Sequence, residues 1–387
     1  MNILYVNHTI RRSGAAISLG TLIRHLSKAI HPHYLLRKGS EVDEVLAVGS
    51  RPAVHARFLS QFMTTLYGQG LPRHQFLWQL VKVPWVILRI LRLCRRWAID
   101  LVHVNETTLL ADVLGAHLAG RPVLVHARTA CLLRPFERFC LEWIGALSRV
   151  RFVAIDEEVR QSLPPICRAK CSVVHNPISL GPEPGPETLA TLRRDWGVPE
   201  GALIIGQAAS LHSVKGIWQV LELAERLCPR HPNLCFVLAG DTGADAGQGP
   251  EVRKSIERRG LQGRVLLPGY QSDLAATYGG FDIALCLFGG GLGGVGRAAY
   301  EAALSGTPLL ATLPDPGGSQ TLQHGVSGLL HTQEDLDGME VSLDRLIGDA
   351  SLRDSLGASA HEAIAARHDP GTVAQKIETL YREMTIA

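Results

Sequence analysis

Short, wholly apolar runs alternate with helix-length amphipathic segments along most of the chain, and the alternation begins afresh about halfway. Ile3–Val6 is apolar without a break, which suits a strand covered on both faces. A loop containing Gly14 follows, and then Ile17, Leu19, Leu22, Ile23 and Leu26 recur at helical spacing. Further strands are predicted at 99–105, 122–128, 151–155 and 172–177. The second half predicts strands at 202–206, 234–239, 265–267, 282–288, 308–312 and 328–330. A helix at 217–227 carries Ile217, Val220, Leu221 and Ala224 on one face, and Val373, Ile377, Leu380 and Tyr381 mark a final helix. Strand and helix in alternation is the pattern of a doubly wound α/β sheet, here two of them. The densest Pro/Gly patch, Gly181-Pro182-Glu183-Pro184-Gly185-Pro186, separates them. The expected domains are 1–180 and 186–368, with a helix at about 369–387 packing back onto the first.

One stretch departs from this rhythm. Residues 76–98 combine tryptophans and aliphatic residues with Lys82, Arg89, Arg92, Arg95 and Arg96, hold no acid, and contain Pro84, which is expected to break or kink a helix. Two readings fit. One is an in-plane helix on an anionic membrane surface, a peripheral contact. The other is an internal helix of the first domain with a basic end.

Composition narrows the class. A chain of 387 residues with 46% hydrophobic positions can fill two cores. The net charge of +3 gives no argument for nucleic acid, and none is expected as partner. None of the eight cysteines forms a C-x-x-C pair, so no metal site is expected, and a reducing, cytoplasmic setting fits best. No basic segment precedes the first strand and no uncharged apolar run reaches the ~18 residues of a spanning helix, so neither signal peptide nor membrane span is expected. The first loop lacks G-x-G-x-x-G, which argues against a nicotinamide or flavin enzyme.

The candidate chemistry centres on the glycine run from Gly289 to Gly296. It follows the strand-like Ile283–Phe288 and precedes the helix-like Ala298–Leu304. A strand, a glycine loop and a helix start bring unpaired N–H groups and a positive dipole end to one place, which suits a diphosphate. The plain alternative is a flexible surface loop. Lys215 stands between the second domain's first strand and its helix, as a phosphate counter-charge or as a solvated lysine. In the first half, His103, Asn105, His126 and Arg128 all fall at carboxyl ends of strands, where open α/β sheets bind ligands.

Taken together these residues resemble the retaining glycosyltransferases of family four, the group 1 glycosyltransferases. The matching pieces are Leu211…Lys215-Gly216, Val237-Leu238-Ala239-Gly240-Asp241, Leu267-Pro268-Gly269-Tyr270, Gly294-Val295-Gly296 with Glu301 to Pro308, and Gly325 to Leu330. The resemblance implies the GT-B type of fold: α/β, two Rossmann-like domains facing each other across a cleft. It implies an N-terminal acceptor domain and a C-terminal nucleotide-sugar donor domain. The activity implied is transfer of a sugar, with retention and without metal, from a nucleoside-diphosphate sugar to a glycan or lipid-linked acceptor. The nucleoside-diphosphate sugar is then a donor substrate, and no cofactor is expected. Such an enzyme would serve cell-surface polysaccharide or glycoconjugate assembly, in the cytoplasm or at the inner face of the plasma membrane.

Carried over residue by residue, the resemblance gives Arg128, Lys215 and Glu301 catalytic roles. Lys215 pairs with the donor diphosphate and Glu301 accepts from the ribose hydroxyls. Gly293, Gly294, Val295 and Gly296 approach phosphate or sugar, Tyr270 borders the base, and Gly14 and Ala15 approach the diphosphate from the first domain. The chain departs from the family at several points. Gly293 replaces the first glutamate of the E-x7-E motif, and Ser210 stands where an arginine precedes the lysine. Thr321 and Ala16 replace acidic residues. Arg128 falls where many members carry histidine and some arginine. Arg297, beside the glycine run, is the candidate to replace lost charge. Two rivals follow from these departures: a nucleotide-sugar epimerase, separable by an isomerisation assay without acceptor, and a catalytically silent binding protein of a glycan-assembly complex, which binds donor without forming product.

Overall fold

The computed structural model describes the chain except residues 11–12, 58, 60–72, 132–134, 242–247, 289–295, 318, 320 and 387, with backbone alone over 73–77. The chain divides into two compact units, Met1–Pro177 with 367–387, and Ile178–Ala366.

The first unit runs β1 (Asn2–Asn7), α1 (Gly14–His25), β2 (His31–Arg37), β3 (Ala53–Ala56), α2 (Arg73–Arg96), β4 (Leu101–Val104), α3 (Leu110–Leu118), β5 (Val123–Ala127), α4 (Pro135–Ala146), β6 (Val150–Ala154), α5 (Glu157–Ser162), α6 (Pro165–Arg168) and β7 (Cys171–Val173). Its seven strands are all parallel, in the order β3-β2-β1-β4-β5-β6-β7. The chain starts in mid-sheet at β1, moves outward to β3, then returns to the other side of β1 for β4. That reversal is a topological switch point, and all strand ends that flank it point the same way. Side chains along β1 alternate between two cores. Leu4 and Val6 join Val86, Ile90, Val113 and Ile144 from α2, α3 and α4. Ile3 and Tyr5 join Leu19 and Leu22 of α1 on the other side, where the last helix, α14 below, adds Ile377 and Tyr381. Two covered faces explain the unbroken apolar run.

The second unit runs α7 (Pro186–Asp195), β8 (Leu203–Ala208), α8 (Ile217–Leu227), β9 (Leu234–Ala239), α9 (Gly249–Arg258), β10 (Val265–Leu266), α10 (Leu274–Gly279), β11 (Ile283–Cys286), α11 (Arg297–Leu304), β12 (Leu309–Thr312), β13 (Leu329–His331), α12 (Leu336–Gly348) and α13 (Ala350–His368); α14 (Pro370–Ile386) then rejoins the first unit. Its six strands are again parallel, in the order β10-β9-β8-β11-β12-β13, so this switch point lies between β8 and β11. Ile205 and Phe236 face the core under α8 and α12, and Ile204 and Val237 face that under α10 and α11.

Two sequence expectations need correction. Pro84 does not end its helix: α2 continues through it. Pro84 lies on the exposed side, where the carbonyl it leaves unpaired can reach water, while Val86 and Ile90 hold the next turn in the core. Strand β2 and the edge strand β3 were not foreseen. β2 opens His31-Pro32-His33, whose proline and polar residues mask the buried Tyr34-Leu35-Leu36 that follows.

Candidate functional site

In the second unit the loop after β8 reaches the switch point and turns once as a 3-10 helix, Ser213–Lys215. Several bonds fix this turn. The His212 ring accepts from the Val214 amide at 3.3 Å, the Gln248 side-chain carbonyl accepts from the Ser213 amide at 2.7 Å, and Gln207 donates to the Lys215 carbonyl at 2.7 Å. Gly216 closes the turn with φ +64 and starts α8. A Cβ there would sit 2.5 Å from that of Leu287, on the strand-end next door, so the turn packs onto the end of β11 only because the residue is glycine. Lys215 is half-buried, and its ammonium lies 4.5 Å from the centroid of the Phe288 ring. Burial pushes its pKa down.

Across the switch point, Gly296 is the N-cap of α11 with an extended backbone and no side-chain cap. Amides in the first turn of a helix have no carbonyl partner within it, so they are available to an anion. One turn further in, Glu301 is only 6% exposed. Burial raises its pKa, and the Arg297 guanidinium opposes that rise, with Nε donating to Oε1 at 2.7 Å. Burial, and after it the neighbouring Glu301 carboxylate, raise the Tyr278 phenol. Cys286, at the end of β11, is pushed up to about 12 by burial and by Glu301, with Lys215 acting in the other direction. Lys215, Cys286, Tyr278, Arg297 and Glu301 thus form one electrostatically linked group around the β8–β11 switch point.

The structure brings Lys215, Gly296, Arg297 and Glu301 to this place. Ser210 is exposed in the loop after β8. Tyr270 is 66% exposed and follows β10 at the edge of the sheet, two strands from β8. Gly293, Gly294 and Val295 lie outside the described residues. Cys286 and Tyr278 were missed because a cysteine in an apolar strand and a tyrosine in an apolar helix read as core.

In the first unit a ladder of polar side chains crosses the strand ends. Asn7 donates to Thr9 at 2.8 Å, Asn105 to Asn7 at 2.9 Å, and Arg128 Nε to Asn105 at 2.9 Å. The Arg128 guanidinium also donates to Asn176. Arg128 itself is 6% exposed. Its charge opposes the burial that raises Glu106. Gly14 and Ala15 open α1 beside this ladder in sequence, after the N-cap Ser13, whose hydroxyl accepts from the Ala16 amide at 3.3 Å. The strand-end histidines are near Arg128 but serve another purpose. His103 Nδ1 bonds Tyr381 of α14 at 2.5 Å and its Nε2 bonds His126 Nδ1 at 3.1 Å. Burial drives His103 down to about 3 and His126 well below its ordinary value, so both are neutral ties for the last helix. Among the described residues, no group of three His, Cys, Asp or Glu side chains is placed to hold a metal.

Two parallel, doubly wound sheets, each with polar side chains gathered at its switch point, define a GT-B glycosyltransferase fold. Two family models match the chain: Glycosyl transferases group 1 over residues 190–363 and Glycosyltransferase Family 4 over residues 12–181. Between them they leave only the ends and the junction near Pro186. The chain belongs to the group 1, family 4 glycosyltransferases. The D-inositol 3-phosphate glycosyltransferase of Corynebacterium jeikeium is 27% identical over 322 residues, 80% of this chain and 72% of that one. N-acetyl-alpha-D-glucosaminyl L-malate synthase of Bacillus anthracis is 23% identical over 199 residues, 51% of this chain and 49% of that one. Among solved structures, HepE of Anabaena in complex with UDP matches with a TM-score of 0.78 at 20% identity, over 98% of this chain and 99% of that one. Sucrose-phosphate synthase of Thermosynechococcus elongatus matches with a TM-score of 0.72 at 16% identity, over 99% of each chain.

Proposed function

We propose that the protein transfers a sugar, with retention, from a nucleoside-diphosphate sugar to a glycan or lipid-linked acceptor. The observation that carries this is the fixed position of Lys215 at the β8–β11 switch point, with the buried Glu301 of α11 in the same electrostatic group. Breaking the donor's glycosidic bond leaves negative charge on the diphosphate. A cation and helix-start amides already in place stabilise that charge without reorganising at the moment of reaction. Lys215 supplies the first and α11 the second. Glu301, kept available as an acceptor by Arg297, receives the two ribose hydroxyls and so sets where the diphosphate lies. Arg297 is the candidate to replace the positive charge lost at Ser210.

In this reading the protein's own cations meet the leaving group and no metal is needed. The Asp335-Leu336-Asp337 pair is committed to structure: Asp335 caps α12 and bonds His331 at 2.7 Å, and Asp337 pairs with Arg226 at 2.7 Å. Assembly of cell-surface polysaccharide or glycoconjugate on the cytoplasmic side fits the buried, reduced Cys94, Cys167, Cys228 and Cys235.

The experiment is calorimetry with UDP, GDP, ADP and their sugars, followed by transfer assays with a panel of acceptors. UDP comes first because the HepE structures hold UDP and UDP-glucose. Binding of one diphosphate, lost in Lys215→Ala, with product formed on an acceptor, is expected. Binding without product would make the protein a silent donor-binding member of its family, isomerisation of the sugar without acceptor would make it an epimerase, and no binding at all would sink the donor-site reading.

A further inference from the structure

The first unit bears an apolar face that its own core does not use. On α2, Trp78, Val81, Trp85 and Leu88 recur every three or four residues and so share one side of the helix. They are 64%, 63%, 63% and 42% exposed. Val86, Ile90, Leu93 and Cys94, on the other side, are buried in the sheet's core. The helix therefore has two apolar sides and the fold covers one. The exposed stripe does not end at Leu88. The same spacing carries it on to Arg92, Arg95 and Arg96, all exposed.

A second stripe runs along α4, where Phe136, Phe139 and Trp143 are 52%, 63% and 51% exposed. Between the two helices lies an apolar groove of about 170 Å³ lined by Leu80 and Val83 of α2, Leu110 and Leu114 of α3, and Phe139 and Trp143 of α4. The net charge around this face is positive. α2 holds no acid along its length, and the one exposed acid of α4, Glu142, is paired with Arg138 at 3.0 Å. No helix among the described residues is long and apolar enough to cross a membrane.

We propose that this face docks the protein on a lipid bilayer that carries anionic headgroups. Trp78, Trp85, Phe139 and Trp143 sit at the boundary between headgroup and acyl chain, the groove takes an acyl segment, and Arg92, Arg95 and Arg96 meet the phosphates. The charge pattern selects a bilayer over a protein. The arginines prolong one apolar stripe at a single end, so a helix tilted into the interface puts its apolar half at the acyl boundary and its basic end among anionic headgroups, whereas a protein interface rings an apolar centre with a mixed polar rim. Aromatic side chains with an apolar body are suited to that boundary. An uncovered face of this kind otherwise invites aggregation. The inference is independent of the donor site and survives if that reading fails.

Vesicle pelleting of the protein tests it, with vesicles of phosphatidylcholine alone and vesicles half phosphatidylglycerol, at low and high salt. Binding to the anionic vesicles, weakened by salt, is expected. Tryptophan fluorescence of the unaltered protein should be quenched by brominated acyl chains, a readout that needs no variant to fold. Trp85→Glu with Trp143→Glu should abolish binding, and each of Arg92→Glu and Arg95→Glu should weaken it on anionic vesicles by about fivefold or more, with thermal unfolding unchanged in all. Absence of pelleting, absence of quenching, or binding indifferent to these substitutions overturns the proposal. So does a dimer that Trp85→Glu dissociates in the absence of lipid, which would assign the face to a second copy of the chain.

Discussion

The two switch points solve the same problem in opposite ways. At each, polar side chains must sit where a parallel sheet ends and helices begin, largely out of water. The first unit pairs most of its groups with one another: Asn7, Asn105, Arg128 and Asn176 form one hydrogen-bonded chain, and His103 and His126 are neutral, with His103 bonded both to His126 and to Tyr381. The second unit keeps its charges. Lys215 rests on an aromatic face, and Glu301 stays buried against Arg297 and Tyr278. A buried network that satisfies itself holds a scaffold rigid. Charges held half-desolvated are spring-loaded for an incoming ion, because each gains more from a ligand than it would in water. The comparison assigns donor chemistry chiefly to the second unit and positional stability chiefly to the first.

That contrast can be broken by substitution. Lys215→Ala is expected to lower kcat/KM by a hundred- to a thousandfold, about 2.7–4 kcal/mol of transition-state stabilisation, with the urea unfolding midpoint unchanged. An equal loss of stability and activity would place Lys215 among the scaffold residues instead. Arg297→Ala removes the only ion-pair partner recorded for Glu301 among the described residues. It is expected to cost about 3 kcal/mol in urea unfolding, because the carboxyl is left buried, and to weaken nucleoside-diphosphate binding in calorimetry. Unchanged donor affinity and turnover in that variant would remove Arg297 from the site.

Tyr381→Phe should behave in the reverse sense. It leaves His103 Nδ1 without its hydroxyl and is expected to cost about 1–2 kcal/mol of stability while kcat/KM stays as it was. A gentler probe is pH. His8, His103 and His126 are held below their ordinary 6.5 by burial, His8 to about 4 and His103 to about 3. The unfolded chain therefore takes up protons first, so the stability these groups contribute is whole above pH 6.5 and drains away as pH falls toward 3. Glu106 and Glu301, raised by burial, act with the other sign over part of that range. Comparison of urea unfolding against pH for the unaltered chain and for His103→Gln isolates the histidine share: the variant's profile should be flatter, and an identical slope would show that His103 titrates alike in the folded and unfolded chain.

How much of this was legible in the sequence varied with how local the cause was. β1 is unmistakable, because four apolar residues in a row need two covered faces and nothing else about the chain matters. β2 is hidden by its own first three residues, and its place in the sheet is set by pairing with β1, which no pattern within β2 reveals. Lys215 stands out by itself, as a charge just before a helix, whereas Glu301 is singled out only by the resemblance to the family, since a glutamate inside a helix is ordinary. Asn7 and Asn176 did not, since an asparagine at a strand end looks like any turn residue until a guanidinium from another strand finds it. Of the two readings of α2, the internal one holds for the side that carries Val86 and Ile90, while the opposite side is exposed. Pro84 misled because the rule against it concerns an isolated helix, and this one is held from the side.

The return of the chain to its first unit has a consequence for synthesis. The sheet face formed by Ile3, Tyr5, Leu101, Leu124 and Val153 is closed by Val373, Ile377 and Tyr381, on a helix made only after the whole second unit. The second unit, by contrast, is one uninterrupted stretch, Ile178–Ala366. At roughly 5–20 residues per second, the first unit waits about 10–40 s with an open apolar flank while the second is made and can fold. The second-born half is therefore the first able to finish, and a nascent chain halted before α14 should be a client for chaperones through its opening residues rather than its newest ones.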